Sequence, residues 1–306
     1  MIRNPVPWPN GAKVGCAITF DMDADSLVHL EHPKDSITRV STISMLHYGP
    51  KVGVPRILES YRRYGLKQTF FVPAWCIEQY PDAVAAMVKD GHEVGFHGYI
   101  HEAPNLLTRD MEHYWMQRSI AVIEKHTGRR PRGNRSPLYN YSKNTTDLLI
   151  EEGFVYDSSL MGDDIPYVLA TKAGEVIELP ASWATDDWPP YVHSIDLNYQ
   201  MQIMAPDRAM EIFLAEFEAM RTAGGGLWIA VWHPFVSGRL SRWLRAEKMI
   251  EYMLGTGDVW FATLEDIARH VQVCRSTGKW TPRVDQLPYY SEPVRPESSG
   301  RPKIGF

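Results

Sequence analysis

Short apolar runs alternate with amphipathic helical stretches about seven times along the chain, and this alternation limits the fold more than any other feature. Residues 14–20 (Val-Gly-Cys-Ala-Ile-Thr-Phe) read as a buried strand, as do 67–73, 93–96, 132–135, 154–156, 175–179, 227–232 and 259–261. The spacing predicts helices over 54–64, 82–89, 108–126, 142–152, 206–221, 240–254 and 264–270. Gly65, Gly91, Gly128 and Gly153 follow four of them as stop signals. Strand, helix, strand in this order predicts an α/β fold with a parallel sheet, open or closed into a barrel. Residues 24–52, mixed and polar with Pro33, Gly49 and Pro50, are expected to form a long loop. Residues 181–205 read as irregular and aromatic. No repeat or boundary divides the chain, so one domain over 1–306 is expected, with a core at 14–270. The remaining 271–306, rich in Pro, Ser and Arg from Ser276 on, are expected to be an extended tail that wraps the surface or reaches a neighbouring subunit.

Composition narrows the function classes. With 306 residues, 44% hydrophobic and 23% charged, the chain can bury a large core. A net charge of -5 offers no basic field for nucleic acid or anionic lipid, so neither partner is expected. No stretch approaches the length of a membrane span, and the residues before the first strand do not read as a signal peptide. Three separated cysteines (Cys16, Cys76, Cys274) form no disulfide framework and fit a reducing compartment, so a cytoplasmic protein is expected.

Polar residues stand just after the strand ends: Asp21, His97, Arg135, His233 and, one loop further on, Asp187. In parallel β/α folds that rim is where active sites form. His97 and His101 lie four apart, and on a helical turn they would point the same way and hold one transition metal. The alternative is a pair of solvated loop histidines. Asp21 and Asp23 offer one carboxylate as a third ligand and a second to take a proton from water, or else a turn or helix cap. Arg135, in Arg-Ser-Pro, is able to pair with a rim carboxylate, or it belongs to a basic surface loop. In Trp183-Ala-Thr-Asp-Asp-Trp188 the acid beside tryptophans suits a carboxylate orienting a histidine against an apolar wall. His233, directly off a buried strand, suits proton donation to a leaving amine, or a structural role.

Taken in order, Asp-x-Asp, His-x-x-x-His, Arg-Ser-Pro, Asp-Trp and His at successive strand ends resemble the polysaccharide deacetylase family (NodB homology, carbohydrate esterase family 4) over residues 14 to 270. The resemblance implies a distorted (β/α) barrel of about seven parallel strands. It implies a divalent metal, zinc above all, held by Asp23, His97 and His101. It makes Asp21 the catalytic base, Arg135 the residue that holds it, His233 the acid and Asp187 the group that tunes that acid. Trp188 and Trp232 would form part of a small apolar pocket for the acyl group, and Tyr99 and Trp183 are counted with the substrate contacts. Many relatives carry adjacent aspartates in the first motif, whereas here Met22 separates them. That form, with His-Gly-Tyr-x-His-Glu and Asp-Asp-Trp-Pro, resembles an intracellular subgroup. It includes the Helicobacter-type peptidoglycan deacetylase, cyclic imide hydrolases and metal-independent allantoinase relatives.

The expected activity is therefore hydrolysis of a non-peptide C–N bond in a small cyclic amide or an N-acetylated compound. A carbohydrate or peptidoglycan deacetylase is one alternative, and a catalytically inactive binding relative is another. A homo-oligomer, in the manner of the subgroup's tetramers, is expected.

Overall fold

The computed structural model describes residues 2–293. The first half contains β1 (Val14–Asp21), α1 (Ser26–Glu31), α2 (Val40–Tyr48), α3 (Val54–Tyr64), β2 (Thr69–Val72), α4 (Ala74–Gln79), α5 (Pro81–Lys89), β3 (Glu93–Phe96) and α6 (Arg109–Thr127). It continues with β4 (Gly133–Asn134), α7 (Thr145–Glu151), β5 (Tyr156–Asp157), β6 (Tyr167–Thr171), β7 (Gly174–Glu178) and the single turn α8 (Trp188–Tyr191). Last come α9 (Pro206–Ala223), β8 (Gly226–Trp232), α10 (Leu240–Gly255), β9 (Val259–Phe261), α11 (Leu264–Ser276) and β10 (Val284–Gln286).

The sheet order is β10-β6-β7-β5-β4-β3-β2-β1-β8, with β9 also paired to β1. From β7 to β8 every pairing is parallel, which gives the parallel sheet that the alternation predicts and, with its seven strands, the distorted (β/α) barrel that the family resemblance implies. The departures are at one edge. β6 pairs antiparallel with β7, and β10 adds to β6. Every residue of β1 and of β8 is buried, so these strands read as continuous apolar runs without alternation.

Two faces of the sheet nonetheless carry different cores. Ile18, Phe20, Phe70 and Trp232 pack against the helices together with Trp243. Ala17, Phe71, Tyr156, Ile229 and Val231 fill the barrel interior. Two interior positions must be glycine. A Cβ on Gly95 would lie 2.6 Å from the Phe71 ring, and one on Gly133 would lie 1.9 Å from Tyr156. Because side chains alternate, the residues two steps beyond these interior positions also face inward, at the C-terminal mouth. Thr19 and Asp21 follow Ala17, His97 follows Gly95, Arg135 follows Gly133, and His233 follows Val231. The period of the strand thus aims the polar set into one rim.

Several expectations need correction. Residues 24–52 are not a long loop: α1, α2 and two single helical turns occupy most of them, with Leu27, Val28 and Leu46 buried. Their apolar residues are few and α2 also exposes Val40, so no helical stripe was visible. α4 and β6 were missed, the latter because it forms a tight hairpin with β7 through Lys172 and Ala173. The tail is not extended from residue 271: α11 continues to Ser276, and β10 joins the sheet edge. Its portion 294–306 lies outside the described residues.

Candidate active site

Asp21 ends β1, Asp23 follows two residues later, His97 follows β3, Arg135 follows β4 and His233 follows β8. His97 and His101 converge, but not through a helical turn. Residues 97–101 form an irregular loop in which Gly98 (φ 72°) and His101 (φ 70°) are both left-handed. That conformation costs a non-glycine residue roughly 1–2 kcal/mol. Glu102 pins the loop by accepting the backbone N–H groups of Tyr99 at 2.9 Å and Ile100 at 2.8 Å, so it is a brace for the pair. The two imidazoles meet edge to face at 5.0 Å.

His97 Nδ1 donates to the Arg135 carbonyl at 2.6 Å, which turns its Nε2 lone pair toward Asp23 Oδ1, 3.3 Å away. His101 Nε2 lies 3.6 Å from Asp23 Oδ2. One ligand atom from each of Asp23, His97 and His101 lies within 4.8 Å of the other two, and all three residues are buried. Asp23 Oδ1 has no hydrogen-bond partner. A buried carboxylate with one oxygen left bare, set between two imidazole nitrogens, is the donor set of a zinc-type site, so these residues fit a divalent metal. Burial presses His101 down to about 4, which keeps it a neutral ligand. Burial also opposes charge on His97, but Asp21 and Asp23 outweigh it and hold that imidazole above its ordinary value. Burial works against ionisation of Asp23 too, and the surrounding histidines overcome it and hold its carboxyl well below the usual range. The same negative surroundings favour a cation.

Arg135 is fully buried and donates to Asp21 Oδ1 at 2.8 Å and to Thr19 Oγ1 at 2.7 Å. Its other nitrogens reach the Ser158 carbonyl and hydroxyl at 3.1 Å and 3.0 Å. All this fixes the guanidinium in one orientation, and with it the Asp21 carboxylate. Asp187 Oδ1 accepts from His233 Nδ1 at 2.7 Å, which leaves Nε2 as the free edge of the ring. Burial resists charge on His233, but Asp187 dominates and lifts it to about 10.

Asp21, Asp23, His97, His101 and His233 open into a pocket of about 390 Å³. Trp188 and Trp183 are in its wall, and the Trp188 ring stands 5.3 Å from the His233 ring. A groove of about 470 Å³ lined by Lys67, Trp260 and Arg269 holds none of the converging residues.

Two expected substrate contacts are not in the pocket. Trp232 is fully buried and pairs in register with Phe20, so alternation sends its indole to the helix face, where it packs 5.5 Å from Phe213. Tyr99 stacks on Trp115 at 5.0 Å, and its hydroxyl bonds Glu78 and Arg118. The left-handed Gly98 turns its side chain away from the mouth.

Other pocket residues escaped notice in the sequence: Asp186, Leu138, Tyr139 and Tyr199. Leu138 (φ 53°) and Tyr139 (φ 57°) are consecutive non-glycine residues in left-handed conformation. Such strain marks positions the surrounding structure enforces. Asp186 adjoins an acid that the sequence had singled out, and the doubled aspartate was its signal.

The polysaccharide deacetylase family model matches residues 41–156. The peptidoglycan deacetylase of Helicobacter pylori (strain ATCC 700392 / 26695) is 30% identical over 246 residues, 72% of this chain and 84% of that protein. A crystal structure from Mycobacterium smegmatis assigned to the polysaccharide deacetylases superposes with a TM-score of 0.87 at 38% identity, over 97% of this chain and 99% of that one. The structure of Puue allantoinase superposes with a TM-score of 0.79 at 25% identity, over 92% and 96%. With its rim geometry, its barrel and these likenesses, the chain belongs to the polysaccharide deacetylase family, a hydrolase of carbon–nitrogen bonds other than peptide bonds.

Proposed function

We propose that this protein is a metal-dependent amidohydrolase that uses Asp21 as base and His233 as acid on a small cyclic amide or imide. The observation that carries the reading is the convergence of both groups, and of the metal-type donor set, on one pocket of about 390 Å³. That volume holds a small ring or a single sugar residue.

Asp23, His97 and His101 would hold the metal, zinc by the chemistry of the donors. When bound, such an ion acidifies water and polarises a carbonyl. The remaining roles belong to the chain. Arg135 keeps Asp21 aimed beside the donor set, where it takes a proton from the attacking water. His233 Nε2, 3.5 Å from Asp23 Oδ2, faces the place where the scissile nitrogen comes to rest. Its proton passes to that nitrogen as the C–N bond breaks and the electron pair leaves with nitrogen. Trp188 and Trp183 supply the apolar wall and exclude water from this side.

The rim supports a small substrate. Asp196, in the aromatic segment, accepts from Arg39 at 2.5 Å and Thr42 at 2.5 Å, and its carbonyl bonds His32 at 2.7 Å. These contacts tie segment 24–52 to segment 181–205, which also contributes Trp188 and Tyr199 to the pocket. A second reading, deacetylation of an N-acetyl sugar, is favoured by the likeness to the H. pylori peptidoglycan deacetylase.

One panel separates them. The zinc-supplied protein is assayed for ring opening of succinimide and hydantoin and for acetate release from N-acetylglucosamine oligomers. Ring opening supports the small-substrate reading, acetate release the sugar reading. Loss of turnover on chelation, restored by zinc, supports metal dependence. Full turnover in chelator, with no metal found by elemental analysis, would overturn it.

A further inference from the structure

Asp186 has no role in the reaction described so far, yet it is a carboxyl group inside the pocket. It lines the wall and is almost fully buried. One of its oxygens lies within 4.8 Å of ligand atoms of Asp187 and His233. Among the described residues no lysine or arginine forms a salt bridge to it. Its partners are neutral donors: the Trp188 N–H to Oδ1 at 2.7 Å and the Tyr139 hydroxyl to Oδ2 at 2.6 Å. Two donors leave acceptor capacity unused on a group with about four lone-pair sites. Burial pushes the carboxyl up to about 7, a cost that a cap for one backbone N–H does not require. Tyr139, which holds it, belongs to the left-handed Leu138–Tyr139 pair.

Its place in the pocket gives the unused acceptor a task. If the carbonyl lies toward Asp23, His97 and His101, the scissile nitrogen lies toward His233. As that nitrogen becomes tetrahedral its lone pair must face His233 Nε2 to receive the proton. Its own N–H then points elsewhere and needs an acceptor on the His233 side. We infer that Asp186 accepts the N–H of the scissile nitrogen, and so selects imides, ureides and secondary amides over their N-methylated counterparts, which lack that N–H. This rests on the amidohydrolase reading above. Asp186 is a specificity residue here, and Tyr139 positions it. No covalent step is asked of either.

The test compares kcat/KM on succinimide with N-methylsuccinimide, and on N-acetylglucosamine oligomers with their N-methyl derivatives. The zinc-supplied wild type, Asp186→Ala, Asp186→Asn and Tyr139→Phe are measured. At pH 8, where the Asp186 carboxyl is mostly ionised, the wild type should prefer the N–H member of the hydrolysed pair by roughly 10- to 100-fold, the worth of one hydrogen bond to a charged acceptor. Asp186→Ala should lose that preference, mainly through the N–H substrate. Asp186→Asn, which keeps an acceptor oxygen and the side-chain shape, should retain part of it. Tyr139→Phe should fall between wild type and Asp186→Ala. Should Asp186→Ala fail to fold, the same ratio in Asp186→Asn and Tyr139→Phe decides. An unchanged ratio in the folded variants overturns the inference and leaves the hydrolase reading standing. No hydrolysis of any compound by the wild type overturns both.

Discussion

Asp187 holds His233 at both ends. Oδ1 takes the ring Nδ1–H at 2.7 Å, while Oδ2 takes the backbone N–H of His233 at 3.0 Å and of Ser237 at 3.1 Å. One fully buried carboxylate therefore fixes the imidazole, its tautomer and the turn that carries it. Asp187→Ala removes the charge that overcomes burial of His233 and strands two backbone donors. We expect kcat to fall by roughly 10²-fold or more and stability to fall by about 2–4 kcal/mol, read by steady-state kinetics and urea unfolding. Asp187→Asn should recover part of the stability, because its oxygen still accepts backbone N–H groups, and little of the rate.

Arg135 reaches Asp21 across 114 residues of sequence and bonds Thr19 and Ser158 as well. A lysine keeps the charge but not the fork. Arg135→Lys should lower kcat by roughly 10-fold or more while leaving zinc content unchanged, because Asp23, His97 and His101 do not depend on the guanidinium. Arg135→Ala leaves Asp21 buried and unpaired, which costs about 3–5 kcal/mol in an unfolding titration.

The two tryptophans of the motifs should separate cleanly. Trp188 walls the pocket against His233, so Trp188→Ala should weaken substrate capture and lower kcat/KM with a stability loss under about 2 kcal/mol. Trp232 is core, packed on Phe20 and Phe213, so Trp232→Ala should cost about 3–5 kcal/mol and lower the thermal midpoint. A Trp232 variant that stayed as stable as wild type and failed only in binding would return this indole to the pocket.

The parallel sheet and its rim were legible because strand period and strand ends encode them, and the family resemblance supplied the barrel. Residues two steps beyond 17, 95, 133 and 231 had to face inward once those strands were placed. Trp232 was misjudged by the same rule. It lies beside a catalytic candidate in sequence, and neighbours in a strand face opposite sides. Tyr99 failed for a related reason, since the left-handed Gly98 redirects the chain between the two histidines. Segment 24–52 was opaque because its helices are held by contacts such as Asp196 with Arg39 and Thr42, which no local pattern reveals. Tyr139 reached the pocket through a left-handed backbone conformation that the sequence does not announce, whereas the doubled aspartate was the one signal for Asp186.

His92 provides a pH test away from the site. Burial presses its imidazole from an ordinary 6.5 down to about 4, against the pull of Asp90. Above pH 6.5 both folded and unfolded chains are neutral there. As pH falls from 6.5 to 4 the unfolded chain takes up a proton that the folded chain refuses, so stability falls, by up to about 3 kcal/mol. The advantage of wild type over His92→Gln should therefore shrink across that window, as measured by urea unfolding at each pH. A difference independent of pH would contradict it.

The central claim is that Asp21 takes the proton from water while Asp23, His97 and His101 hold the metal. It is tested most directly by kcat of Asp21→Asn on whichever panel compound the wild type hydrolyses, with zinc content measured on the same sample. The account predicts a loss of roughly 10²- to 10⁴-fold at unchanged zinc content. Wild-type kcat in the zinc-loaded Asp21→Asn protein would contradict it.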